Sequence, residues 1–178
     1  MKNMDKRIGA AAMVLTIGAL ALLGATAVPD PRHDFDFEVG TWKMSPSGDT
    51  HVVERLWEGA TIGRLIVRKP APHVRGSLLT VYHPDSRRWY IRWVDATDGS
   101  VSPPLVGGFE HGTGTFVGPD SERGKPILVR LVFSNITANA FKTVQSVSRD
   151  RGKTWKRGVP TTYTRRPGSK TSPSAAVW

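Results

Sequence analysis

The chain has 178 residues, with 25 Lys and Arg against 15 Asp and Glu, a formal net charge of +10 and no cysteine. The length suits a single domain, and the lack of cysteine excludes disulfides, thiol catalysis and thiolate metal sites. The basic residues are scattered without a block or a recognition motif, so the charge does not indicate a nucleic-acid partner.

The first element resembles a secretory signal. A basic start, MKNMDKR, precedes an uncharged apolar run at residues 8–24, and Ala25-Thr26-Ala27 has the small-x-small pattern that signal peptidase reads. We predict an N-terminal signal helix at residues 1–27, cleaved after Ala27, and a secreted or periplasmic protein without stable membrane insertion. The alternative is an uncleaved membrane anchor, for which this apolar run is at the short end.

The next elements are ten short strands. Segments rich in Val, Ile, Thr, Leu and aromatic residues alternate with turn residues, at 41–45, 50–57, 61–68, 76–83, 88–95, 103–109, 112–118, 126–134, 140–148 and 155–165. This spacing predicts an all-β fold, an antiparallel up-and-down β-barrel of about ten strands, over residues 28–166. Residues 167–178 are small and polar and predict a disordered tail.

Alternation along these strands places one aromatic and aliphatic stripe inside the barrel. Trp89, Trp93 and Asp95 share one face of the fifth strand, and Thr143 and Gln145 share one face of the ninth. We predict that these five side chains bind a ligand in a cavity. Because Asp95 and Gln145 are polar on an apolar face, they either orient that ligand or lie hydrated at the barrel mouth.

The stretch SRDRGKTW, residues 148–155, fits S-x-D-x-G-x-T-W, the Asp-box of sialidases. The motif is a turn. Its short polar side chains accept hydrogen bonds from the N–H groups of the turn, its Gly supplies a positive φ, and its Trp packs beneath. Only one copy occurs, and no carboxylate pair typical of a glycosidase is evident. The sequence therefore predicts a structural turn between the last two strands and no glycosidase site.

Several motifs together resemble a known family. FDFEVGTW at residues 35–42 contains the G-x-W that opens the first strand of lipocalins and other calycin barrels. With RRWYIRWVDATDG, PPLVGGFEHGTGTF, GKPILVRLVFSNIT, SRDRGKTW and a final YTR, residues 35–165 resemble a bacterial lipocalin-like family of unassigned function. The resemblance implies a calycin-type barrel, an exported protein and an Arg of the last strand packed over Trp42. Strand parity selects Arg165 over Arg166 for that role.

The chain departs from the family at three positions. Thr143, Gly158 and Val159 stand where the family tends to carry Trp, Asn and Trp. If these positions line the cavity, the cavity is larger or differently shaped, and a ligand common to the family is in doubt.

Two classes of function follow. The first is an exported barrel that binds a small apolar or amphipathic molecule. The alternative is an isomerase- or cyclase-type enzyme acting on a hydrophobic small molecule in the same cavity.

No catalytic residue, metal or cofactor is predicted. The five histidines lack the spacing of a zinc site. His51 is the one candidate for a haem ligand, and the alternative is that it is an ordinary strand residue. The oligomeric state stays open.

Overall fold

The computed structural model describes residues 29–67 and 74–168. The predicted signal peptide lies outside these ranges, as does the predicted tail beyond Gly168. Within them, two short 3-10 turns precede eleven strands. The turns are Pro31–His33 and Asp36–Glu38, and the strands are β1 (Gly40–Ser45), β2 (Thr50–Trp57), β3 (Ala60–Val67), β4 (Val74–His83), β5 (Arg88–Asp95), β6 (Leu105–Glu110), β7 (Thr113–Glu122), β8 (Lys125–Ser134), β9 (Ala140–Ser148), β10 (Lys156–Arg157) and β11 (Thr161–Arg165).

Ten of these strands form a closed antiparallel barrel. Each strand from β1 to β9 pairs with the next one in the chain, β9 also pairs with β11, and β11 returns to β1. The two-residue β10 pairs with β9 beyond the end of β11. The described residues therefore confirm the predicted all-β barrel of about ten strands.

At two places the strands differ from the predicted ones by more than two residues. The strand predicted to end at residue 118 continues as β7 to Glu122. Its pairing with β6 ends at Val117, so Pro119 lies beyond that ladder, where the missing N–H of a proline is tolerated. The last predicted strand, 155–165, is two strands, separated at residues 158–160, where Pro160 cannot donate to a ladder.

The end of the barrel where β1 begins is closed by residues 31–38, which we call the plug. At its centre Phe35 is 1% exposed. Its ring lies with centroid separations of 4.8 to 5.5 Å from four others, those of Trp89, Phe109, Phe116 and Phe133. Burying one large apolar side chain is worth about 1.5–3 kcal/mol, so this aromatic cluster is the main core of the domain.

Trp42 and Arg165 join the first and last strands. They are paired in the β1–β11 register, and the guanidinium carbon lies 4.1 Å from the centroid of the indole. The guanidinium also donates to three carbonyl oxygens, those of Val39 at 2.9 Å, Phe37 at 2.9 Å and Ala138 at 2.7 Å. The prediction that Arg165 packs over Trp42 is confirmed, and the same side chain ties the plug to the last strand.

Residues 148–155 form a compact turn after β9. Ser148 Oγ accepts the N–H of Gly152 at 2.8 Å, and the Asp150 carboxylate accepts both the N–H and the hydroxyl of Thr154, at 2.8 and 2.6 Å. The Arg130 guanidinium lies 4.4 Å from the centroid of the Trp155 ring. The polar groups of this segment thus stabilise the turn itself.

The Asp150 carboxylate should make the stability of this turn depend on pH. Hydrogen bonds from Thr154 and Ser148 lower its pKa to about 2, from an ordinary 3.8. Because the pKa of Asp150 is lower in the folded state than in the unfolded state, the ionised carboxylate stabilises the folded state fully above about pH 4. This stabilisation is lost as the pH falls towards 2. We expect Asp150→Asn to be less stable than the wild type to urea at pH 7, and the difference to shrink at pH 2. A difference of unchanged size at pH 2 would contradict this role.

Candidate functional site

The barrel opens into a cavity at the end opposite the plug. Its volume is about 740 Å³, within the range of about 300–1,000 Å³ that small-molecule sites occupy. Strand alternation places aliphatic side chains on its walls. They include Met44, Leu65, Leu78, Ile91, Leu105 and Leu131. The walls therefore suit the apolar part of a ligand.

Trp93 forms one wall, and a glycine on the neighbouring strand makes room for it. A Cβ at Gly76 would lie 2.4 Å from the Trp93 ring, so no larger residue fits there without displacing the indole. The indole N–H donates to the Asp95 carboxylate at 3.1 Å. That carboxylate also accepts the Thr97 N–H at 2.7 Å, and the hydrogen bonds from Thr97 and Trp93 lower the pKa of Asp95. Asp95 thus fixes the orientation of the Trp93 ring.

The structure brings three of the five predicted site residues to the cavity. Trp93, Thr143 and Gln145 line it, with Thr143 buried and Gln145 exposed towards the mouth. Trp89 is 1% exposed and lies within the aromatic cluster, where its indole N–H donates to the Pro31 carbonyl at 3.1 Å. Asp95 lies at the end of β5 and touches the cavity only through Trp93.

The floor of the cavity, formed by Glu38, Thr143 and Tyr163, is polar. Glu38 is the last residue of the plug, and its side chain is 7% exposed. Its carboxylate oxygen lies 3.5 Å from Nε2 of His51. A carboxylate this buried is costly to keep without polar partners, so the floor is the most chemically distinctive part of the cavity.

His51 supports the floor from behind. It is 2% exposed, and its Nδ1 lies 3.2 Å from the carbonyl oxygen of Arg64. Because a carbonyl only accepts, Nδ1 carries the proton in this contact. A Cβ at Gly63 would lie 2.6 Å from the imidazole ring, so this glycine on β3 makes room for His51. His51 therefore lies beside Glu38, with Nε2 3.5 Å from the carboxylate, and is not among the residues that line the cavity.

Tyr163 supplies a proton donor to the floor. Its ring stacks on Phe141 with centroids 4.3 Å apart and an interplanar angle of 6°. Burial raises the pKa of Tyr163 to about 12; a hydrogen bond with Thr143 lowers it, and the negative charge of Glu38 raises it. The hydroxyl is therefore protonated throughout the physiological range and can donate to a ligand.

Sequence analysis did not single out Glu38 or Tyr163 for the site. The available signals were weak: Glu38 is a lone carboxylate between Phe37 and Val39, and Tyr163 shares the parity of Arg165. Neither signal indicates a position on the floor of a cavity, because that position depends on how the plug enters the barrel.

A group of possible metal ligands lies on the outer surface of the plug. Ligating atoms of Asp30, His33 and Glu58 lie within 4.8 Å of one another. The Arg32 guanidinium already pairs with both carboxylates, at 2.5 Å from Asp30 and 3.0 Å from Glu58. This cluster is therefore an exposed ion-pair network centred on an arginine.

No model of a known protein family matches the chain, and no curated protein matches it either. The functional argument therefore depends on the fold and on the geometry of the cavity. In residues 29–67 and 74–168, no helix is both long enough and apolar enough to span a bilayer.

Proposed function

We propose that this chain is an exported, lipocalin-like barrel that binds a small apolar or amphipathic molecule in its cavity. One observation carries the proposal: a space of about 740 Å³, closed by the plug at one end and open at the other, with aliphatic and aromatic side chains on its walls and polar side chains at its floor and mouth. A concave space that combines apolar walls with convergent polar groups is the usual form of a small-molecule site. The G-x-W sequence and its Arg165 contact support the lipocalin-like assignment, and the signal-like N-terminus supports export.

The polar floor determines the orientation of a ligand in the cavity. Glu38 offers acceptor oxygens and Tyr163 offers a donor, both at the buried end of the cavity. Buried polar groups are costly to leave unpaired. A molecule with an apolar body and a single hydroxyl or amino group fits best with that group on the floor and the body along the walls.

Filling the floor should block binding. Thr143 is 8% exposed, lines the cavity and faces space that a larger side chain could enter. We expect Thr143→Trp to weaken the binding of apolar fluorescent probes by at least about tenfold, because the indole occupies the volume that the probe needs. The measurement is saturable quenching of intrinsic tryptophan fluorescence, corrected for the added indole.

Thr143→Val is the matched control. It keeps the size of the side chain and replaces the hydroxyl, which bonds to Tyr163, with a methyl group. Because the space for an apolar probe is unchanged, probe affinity should stay within about threefold of the wild type. Thermal unfolding of both variants shows whether the barrel remains folded. If no probe quenches the wild type saturably, or if Thr143→Trp binds as well as Thr143→Val, the cavity is not a binding site.

An isomerase- or cyclase-type enzyme is the second candidate, favoured by the convergence of polar groups on the floor. Glu38, which lies beside His51, is placed as a base, and the protonated Tyr163 hydroxyl as an acid, on the same surface of one cavity. Native mass spectrometry of protein purified from its own host separates the two functions. One retained compound that is released unchanged supports binding, whereas a pair of isomers whose ratio shifts during incubation supports catalysis.

A further inference from the structure

Cations are concentrated beside the open end of the barrel. The β7–β8 hairpin and the segment from the 148–155 turn through β10 both lie at this end and are joined there by the ion pair of Arg149 with Glu122, at 2.7 Å. Six further cations on these two segments are exposed and form no ion pair with another described residue. They are Arg123, Lys125, Arg151, Lys153, Lys156 and Arg157. We call them the mouth cations.

The carboxylates on these two segments do not neutralise the mouth cations, although the exposed Asp98 lies at the same end of the barrel, in the β5–β6 connection. Of the three carboxylates on the two segments, Glu122 is paired with Arg149, and Asp150 is bound within its own turn. Only Asp120, which lines the cavity rim, is outside these contacts. At the plug end Arg32 and Arg55 are paired with carboxylates, whereas Arg87, Arg88 and Lys142 are exposed and form no ion pair with another described residue. The unpaired positive charge on the two hairpins therefore faces the same side as the cavity mouth.

The rim of the mouth also carries exposed apolar side chains. Val101 is 58% exposed and Val159 is 76% exposed, and both line the opening of the cavity. Val101 belongs to the β5–β6 connection, and Val159 lies between β10 and β11, two residues after Arg157. Apolar side chains beside cations are the combination that interfacial membrane-binding surfaces use.

We propose that the open end of the barrel docks reversibly on the surface of an anionic lipid bilayer. The mouth cations contact the lipid head groups, and Val101 and Val159 enter the interfacial layer. In this orientation the cavity opens towards the membrane, so that an apolar molecule could pass between bilayer and barrel without crossing water. The docking surface does not depend on what the cavity holds, and it can be tested with the cavity empty.

The two valines favour a bilayer over a soluble polyanion. A nucleic acid or an anionic polysaccharide would be attracted by the same cations, but it offers no apolar layer for exposed valines. A membrane offers both an anionic surface and an apolar interior, and so accounts for both features of the rim.

The first test is co-sedimentation with vesicles, using the chain from Val28, which retains every described strand and the whole aromatic core. Binding is compared between vesicles of phosphatidylcholine alone and vesicles of equimolar phosphatidylcholine and phosphatidylglycerol. We expect binding to the anionic vesicles only, weakened by salt. The double variant Lys156→Glu/Arg157→Glu should lower that binding by about tenfold or more, because each basic residue near an anionic surface contributes substantially to the free energy of membrane binding.

The matched control changes the net charge equally at another place. Arg88→Glu/Lys142→Glu alters two exposed cations near the plug end of the barrel and should leave vesicle binding within about twofold of the wild type. If the control loses as much binding as the mouth variant, overall charge drives the association and the proposed surface is wrong.

The second test uses the absence of cysteine from the chain. A single cysteine introduced as Val159→Cys and labelled with an environment-sensitive dye should show a blue shift on anionic vesicles. The same dye at Trp57→Cys, where the native side chain is 60% exposed at the plug end, should show none. In addition, Val101→Ser/Val159→Ser should weaken vesicle binding by about tenfold while leaving the binding of soluble polyphosphate unchanged.

Two results would overturn the proposal. The first is equal dye responses at positions 159 and 57, which would mean that the mouth does not face the bilayer. The second is full vesicle binding by the serine double variant together with complete competition by polyphosphate, which would assign the cations to a soluble polyanion instead.

Discussion

Replacing Arg165 with alanine is expected to lower the free energy of unfolding by about 3 kcal/mol. The substitution removes the guanidinium that lies 4.1 Å from the Trp42 ring centroid and the hydrogen bonds, each 2.9 Å, to the carbonyls of Val39 and Phe37. Both carbonyls lie where the plug meets β1, and they lose a charged donor. In a domain of this size, the loss corresponds to a fall of about 10 °C in Tm, measured by thermal unfolding.

Arg166→Ala is the matched control, since it removes the same charge from the next residue. Arg166 is exposed and donates to Thr50 Oγ1 at 2.9 Å. Its loss should cost less than about 1 kcal/mol, as is usual for exposed polar contacts. Equal losses from the two variants would show that removal of positive charge, rather than the contacts of Arg165, controls stability.

Phe35→Ala is expected to be the most destabilising single substitution among the aromatic residues of the plug, with a loss of about 4 kcal/mol. The ring is 1% exposed and contacts four other rings, so its removal leaves a void that the barrel walls cannot fill. Urea unfolding of the wild type and the variant at one temperature measures the difference.

Phe37→Ala provides the comparison, because the same side chain is removed two residues away. Phe37 is only partly buried, although it also contacts the cluster, with its ring centroid 5.3 Å from that of Phe141. We expect it to cost about half as much as Phe35→Ala. If Phe37→Ala costs as much or more, the plug does not depend on Phe35 for its main contact with the core.

The strands of the barrel could be predicted because their signals are local. Alternation within β5 placed Trp93 on the inner face, and the parity of β11 selected Arg165 instead of Arg166 as the partner of Trp42. Each of these inferences needs only the two-residue period of a strand and a short turn on either side. The same local reasoning failed at Pro119, where the strand continues because β6 no longer lies beside it.

The depth of a side chain along the barrel could not be predicted in the same way. Trp89 and Trp93 share one face of β5, yet Trp89 lies in the aromatic cluster and Trp93 at the cavity wall. The positions of Glu38 and Tyr163 on the floor, and of His51 behind it, are harder still to predict, because Glu38 precedes β1, His51 is in β2 and Tyr163 is in β11. Only the closure of the barrel around the plug brings these three together.

The contacts of Arg165 also bear on how the chain folds. Its hydrogen bonds to Val39 and Phe37 join residues 126 and 128 positions apart in sequence. Folding slows as native contacts become more distant in the chain, because loop-closure entropy is lost before those contacts form. The barrel therefore cannot close, and the plug cannot be tied to the last strand, until β11 has been synthesised.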